Sequence, residues 1–101
     1  MPKGLLQMIK HVVLWKFKPQ NKDETITKVQ DELTELAKII PQVLHLETGK
    51  NIFSGEFDLV LLSEFQNEKD LNIYQNPPKH QQIKNFLSTV CEKRACIDYT
   101  I

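Results

Sequence analysis

Two cysteines in 101 residues cannot build a disulfide framework. Cys91 and Cys96 stand at odd spacing, so on one strand they point to opposite faces and cannot bridge each other. Neither has histidine or cysteine neighbours at metal-ligand spacing, so the sequence predicts no metal site and no cofactor. Reduced thiols in a cytoplasmic protein are the simplest expectation. Charge of one sign is also lacking: Lys+Arg and Asp+Glu are 13 each. A balanced chain has no net field to draw nucleic acid or an anionic membrane, so neither is expected as a partner. No apolar run approaches the roughly 20 residues that span a bilayer. The opening Met1-Pro2-Lys3-Gly4-Leu5-Leu6-Gln7 has no signal-peptide core or cleavage site, and reads as a loose leader before Met8.

What is present is an ordinary globular composition, 41% apolar and 26% charged, in a single domain over residues 1–101. A chain of this size buries roughly two thirds of its unfolded surface. Ile9 to Lys18 reads as a strand, rich in β-branched and aromatic residues and ended by Pro19. One face carries Ile9, His11, Val13, Trp15 and Phe17, and the other Val12 and Leu14. Apolar on both faces, it is a central strand. Asn21 to Ile40 reads as a helix with the stripe Ile26, Val29, Leu33, Leu36, Ala37 and Ile40, stopped by Pro41. Asn21 and Glu24 suggest a capping box.

Val43 to Lys50 predicts a second strand and Phe57 to Phe65 a third, the latter apolar on both faces. Asn67 should cap a short helix that carries Leu71 and Tyr74 inward. The Pro77-Pro78 pair breaks the chain there, because each ring fixes φ and removes an N–H. Pro78 suits the first turn of a further helix to Val90. Arg94 to Ile101 predicts the last strand, with Ala95, Ile97, Tyr99 and Ile101 on one face and Arg94, Cys96, Asp98 and Thr100 on the other.

The order β-α-β-β-α-β is that of the ferredoxin-like α+β plait. In one plait the helices cover one sheet face only. The second face, with Val12, Leu14, Val60, Leu62, Ile97, Tyr99 and Ile101, is too apolar to stay wet. A second copy closing the two sheets into a dimeric α/β barrel is the expected partner. An RNA-binding plait is disfavoured, because Asp58-Leu59-Val60-Leu61-Leu62 has no exposed aromatics.

His80, Ile83, Leu87 and Val90 form a helical stripe, so the His80 imidazole points with the apolar face. Such a histidine either bonds a backbone carbonyl at the core edge or handles protons in a pocket. Tyr74 approaches from the preceding helix and His11 from the first strand. Val13, Trp15, Val29, Leu33, Leu61, Ile83 and Cys96 would complete an apolar pocket for a small apolar or acidic ligand. Arg94 shares that sheet face and pairs either with Asp98 or another surface carboxylate, or with an acidic ligand. A hydrogen bond between the Tyr74 hydroxyl and the His80 ring, direct or through water, is expected.

Three segments together resemble the stress-responsive A/B barrel domain family over about Met8 to Ile101. They are Ile9-Lys10-His11-Val12-Val13-Leu14-Trp15-Lys16-Phe17, the stretch Tyr74-Gln75-Asn76-Pro77-Pro78-Lys79-His80, and Ile97-Asp98-Tyr99. The resemblance implies a homodimeric α+β barrel. It also implies an alternative to simple binding. Some members look like polyketide cyclases with a tyrosine–histidine acid–base pair, matching Tyr74 and His80 as catalytic residues, with His11 as the strand histidine. A cofactor-free cyclase or monooxygenase chemistry therefore stands beside the binding reading. Pro77 occupies the place where the family often has a further histidine, so that residue's role is lost here.

Overall fold

The computed structural model describes residues 8–101, and the expectation of a loose leader over residues 1–7 lies outside them. Seven elements follow in order: β1 (Ile9–Phe17), α1 (Lys22–Ile39), β2 (His45–Lys50), β3 (Leu59–Phe65), α2 (Glu68–Gln75), α3 (Pro78–Val90) and β4 (Cys91–Thr100). The sheet order is β2-β3-β1-β4, with every neighbouring pair antiparallel. The two strands with apolar residues on both faces, β1 and β3, are the central ones. That is where a strand must be covered from both sides.

Alternation decides the rest. His11, Val13, Trp15 and Phe17 of β1 and Leu59, Leu61, Ser63 and Phe65 of β3 are buried on the helix side. The α1 stripe of Ile26, Val29, Leu33 and Leu36 closes over them, joined by Ile83 and Leu87 of α3. Each such side chain contributes about 1.5–3 kcal/mol by leaving water. Asp58 ties the start of β3 to the neighbouring elements. Its carboxylate accepts from the Phe17 N–H at 2.8 Å and from Lys22 Nζ at 3.4 Å, while its own N–H donates to the Trp15 carbonyl at 2.8 Å. A charged acceptor at that corner fixes where β1 ends and α1 begins.

Three strand starts and one cap differ from expectation. β2 starts at His45 and β3 at Leu59, because the ladder between them runs only from His45↔Glu64 to Lys50↔Leu59. β4 starts at Cys91 rather than Arg94. α3 passes into it without a loop, the Cys91 N–H still donating to the Leu87 carbonyl. Asn21 does not form a capping box. Its backbone is left-handed (φ 53°, ψ 36°), and its side chain makes no capping bond. A capping side chain reaches the second or third helical N–H from an extended backbone, which this conformation does not provide. Asn67 does cap α2, accepting from the Asp70 N–H at 2.9 Å. Pro77 is extended (φ −58°, ψ 147°) and Pro78 opens α3, as the proline pair requires.

Among the described residues, no helix covers the opposite sheet face. There Val12, Leu14, Val60 and Leu62 are only half-buried, and Ile97, Tyr99 and Ile101 are exposed at 62%, 43% and 56%.

Candidate functional site

A cavity of about 480 Å³ lies between the helix side of the sheet and helices α1 and α3. Strand alternation supplies its floor: His11, Val13 and Trp15 from β1, Leu61 from β3 and Arg94 from β4. Helix periodicity supplies its cover: Leu33 from α1, and His80, Ile83 and Leu87 from α3. These include eight of the eleven residues expected at the site.

The other three lie elsewhere. Val29 is sealed in the core, and Leu33, one turn further on, is the α1 residue that reaches the wall. Cys96 is exposed, on an edge strand that is exposed from Glu92 to Thr100. Tyr74 is wholly buried behind His80 and does not meet the cavity. Its ring packs edge-on against the His80 ring, with centroids 4.6 Å apart and planes at 62°, and against Phe65 at 5.1 Å. The expected hydrogen bond is not formed directly: the Tyr74 hydroxyl and His80 Nδ1 are both buried without a protein partner. Edge-on packing brings the rings together as apolar bodies, and the phase of two helices cannot specify which polar atoms then meet.

Burial sets the protonation of this pair. It pushes the Tyr74 phenol well above its usual value, since a phenolate has no solvation there. It pulls His80 down to about 4, helped by Lys84 and His11. At neutral pH His80 is therefore an uncharged imidazole on the cavity wall. Removing the orphan hydroxyl should relieve a desolvation cost of about 1 kcal/mol or more. Tyr74→Phe is thus expected to raise the melting temperature by several degrees, a size usual for domains of this length. A thermal melt that fell instead would show that the phenol has a partner.

His11 and Asp98 are directly opposed across β1 and β4. The His11 ring donates through Nδ1 to Asp98 Oδ1 at 2.5 Å. Asp98 therefore does not pair with Arg94, and among the described residues no carboxylate lies within ion-pair distance of the Arg94 guanidinium. Partial desolvation of the sulfur and the Asp98 charge raise the Cys96 thiol against the opposing pull of Arg94, which argues against a nucleophilic thiolate.

Sequence reasoning misses Asp98 as a partner of His11, and Gln75, Lys84, Ser88 and Cys91 on the wall. A signal exists for two of them. Lys84 and Ser88 follow His80 at four-residue steps, so they share its helix edge.

An antiparallel four-stranded sheet with helices on one face, and a mixed polar and apolar cavity beneath them, defines a ferredoxin-like α+β protein with an internal site. The chain belongs to the stress responsive A/B barrel domain family, which it matches over residues 9–101. A stress-response A/B barrel domain-containing protein of Arabidopsis thaliana is 32% identical over 97 residues, 92% of this chain and 36% of that protein. The chain thus spans about a third of the length of this curated relative. Among solved structures, a dimeric ferredoxin-like protein of unknown function from Bacteroides fragilis superposes with a TM-score of 0.86 at 29% identity, covering 93% of this chain and 96% of that one. The hydroxynitrile lyase of Passiflora edulis superposes with a TM-score of 0.85 at 19% identity, covering 95% and 94%, a likeness of fold alone.

Proposed function

We propose that this protein is a homodimer that binds a small molecule with an apolar body and an acidic group in the cavity between sheet and helices. The observation that carries the reading is the lining. Trp15, Leu33, Leu61, Ile83 and Leu87 offer an apolar wall, while Arg94 has no carboxylate partner among the described residues and Lys84 lines the same cavity as a second cation. A guanidinium without a protein carboxylate on the wall of an apolar cavity suits a carboxylate or similar anion. A volume of about 480 Å³ suits a metabolite-sized ligand. His80, neutral at pH 7, would orient a polar atom of that ligand. The apolar sheet face that no described helix covers supports the dimer, as do structural relatives described as dimeric. Two free cysteines are in keeping with a reducing compartment such as the cytoplasm.

Binding is preferred over acid–base catalysis by Tyr74 and His80 because the phenol is walled off from the cavity. A proton donor must come within hydrogen-bond reach of the reacting atom.

Trp15 is the sole tryptophan and lines the cavity, so its fluorescence reports occupancy. An aryl sulfonate such as anilinonaphthalene sulfonate is expected to quench it saturably. Quenching should weaken at least tenfold in Arg94→Ala and in His80→Ala, with the His80→Ala dimer and melting temperature nearly intact. Equal quenching in the parent and both variants would defeat the proposal. So would a His80→Ala protein that loses its fold instead of its ligand.

A further inference from the structure

The β1–β4 register assembles three unlike donor atoms on the helix-facing side of the sheet. His11 stands opposite Asp98, and Val13 opposite Cys96. Cys96 and Asp98, two residues apart on β4, therefore project to the same side as His11. His11 Nδ1 lies 2.5 Å from Asp98 Oδ1 and 3.8 Å from Cys96 Sγ, and all three donor atoms fall within 4.8 Å of one another.

We propose that His11, Cys96 and Asp98 form a binding site for a zinc ion, with a fourth coordination position open toward the cavity. Imidazole, thiolate and carboxylate are the donors zinc takes, at bonds of about 2.0–2.3 Å. Tetrahedral bonds of that length set neighbouring donor atoms about 3.5 Å apart. The sulfur–nitrogen separation is already close to this value. The Asp98 oxygen must retreat by about 1 Å, and its side chain, 46% exposed, has room to turn. The Cys96 thiol gives up its proton to solvent on coordination. Thiolate and carboxylate then offset the two charges of the ion, so the Arg94 guanidinium on the same strand face meets a neutral centre and not a dication.

His11 lines the cavity while Cys96 and Asp98 stand at the exposed edge. The ion therefore has a route in from solvent and a free position inward. Three protein ligands with one open position mark zinc sites that meet a substrate or water, whereas structural sites are closed by four. The open position would take water or an oxygen of the cavity's occupant. The site does not depend on which ligand fills the cavity, and it stands or falls separately from the binding proposal.

Cobalt(II) serves as the spectroscopic probe, titrated into the full chain after chelator treatment. The expected result is a near-ultraviolet thiolate-to-cobalt band and tetrahedral visible bands, saturating at one ion per chain and abolished by added zinc. Cys96→Ser should remove the thiolate band, and Asp98→Asn should weaken binding at least tenfold. Both positions are exposed, so circular dichroism should show either variant folded. Cys91→Ser should leave the band in place, since Cys91 lies at the other end of β4, opposite Phe17. No band at submillimolar cobalt, or the same band in Cys96→Ser, overturns the proposal and leaves His11 and Asp98 as a simple hydrogen-bonded pair.

Discussion

Val60→Asp is expected to give monomeric or insoluble protein. Val60 lies near the middle of the uncovered sheet face, opposite Leu14 on β1 and Gly49 on β2. In the proposed dimer that point is sealed between two sheets. A carboxylate there loses its water and gains no cation, which costs several kcal/mol for each copy. Because a two-fold interface presents the same face from both copies, the penalty is counted twice in the proposed dimer. The helix-side core is untouched, since the Val60 side chain points away from it. A soluble variant should therefore keep its circular dichroism while light scattering falls from two chains to one. If the parent protein already scatters as one chain at micromolar concentration, the dimer is wrong.

The second large effect is acid sensitivity centred on His80. Its ordinary pKa of 6.5 falls to about 4 in the folded chain, chiefly through burial. The unfolded chain thus takes up a proton that the folded chain refuses. By linkage, stability is fully present above pH 6.5 and declines as the pH falls toward 4. The full difference corresponds to about 3 kcal/mol, a sizeable share of a small domain's stability. The ion-paired carboxyls Asp23, Glu35 and Glu56, each held below its usual range by a lysine, lose their contribution only at lower pH. Denaturant midpoints should therefore drop steeply for the parent protein as the pH is lowered from neutral toward the folded-state value. In His80→Phe most of that slope should vanish, and an unchanged slope would remove His80 as its cause.

Much of this is legible in the chain. Alternation along β1 and β3 marks them as central strands and separates their two faces correctly, because a period of two leaves no freedom once one face is buried. The Pro77-Pro78 break sets the phase of α3 and with it the inward turn of His80. The rest depends on register and direction. His11, Cys96 and Asp98 have no spacing that signals a site, and only the β1–β4 ladder brings them together. The burial of Tyr74 can be read from its helix, but its position behind His80 and away from the cavity depends on how α2 meets α3. The start of β4 is obscured because α3 runs into it with no turn residue to mark the change. Asn21 carries the residue type of a cap and adopts a backbone conformation that disables it.

The two ends of the described chain meet at one corner of the sheet. Met8 N–H donates to the Ile101 carbonyl at 3.2 Å, and Ile101 N–H donates to the Met8 carbonyl at 3.0 Å. This is the reciprocal pairing that a two-residue hairpin turn would otherwise close. Spatially the described residues close on themselves through this pairing. A chain opened at the exposed 52–56 turn between β2 and β3, with a short designed turn joining Ile101 to Met8, would make β4 and β1 as a continuous hairpin. Every strand would keep its neighbours in such a permuted chain, while the proposed zinc ligands would change from an end-to-end assembly into a local one.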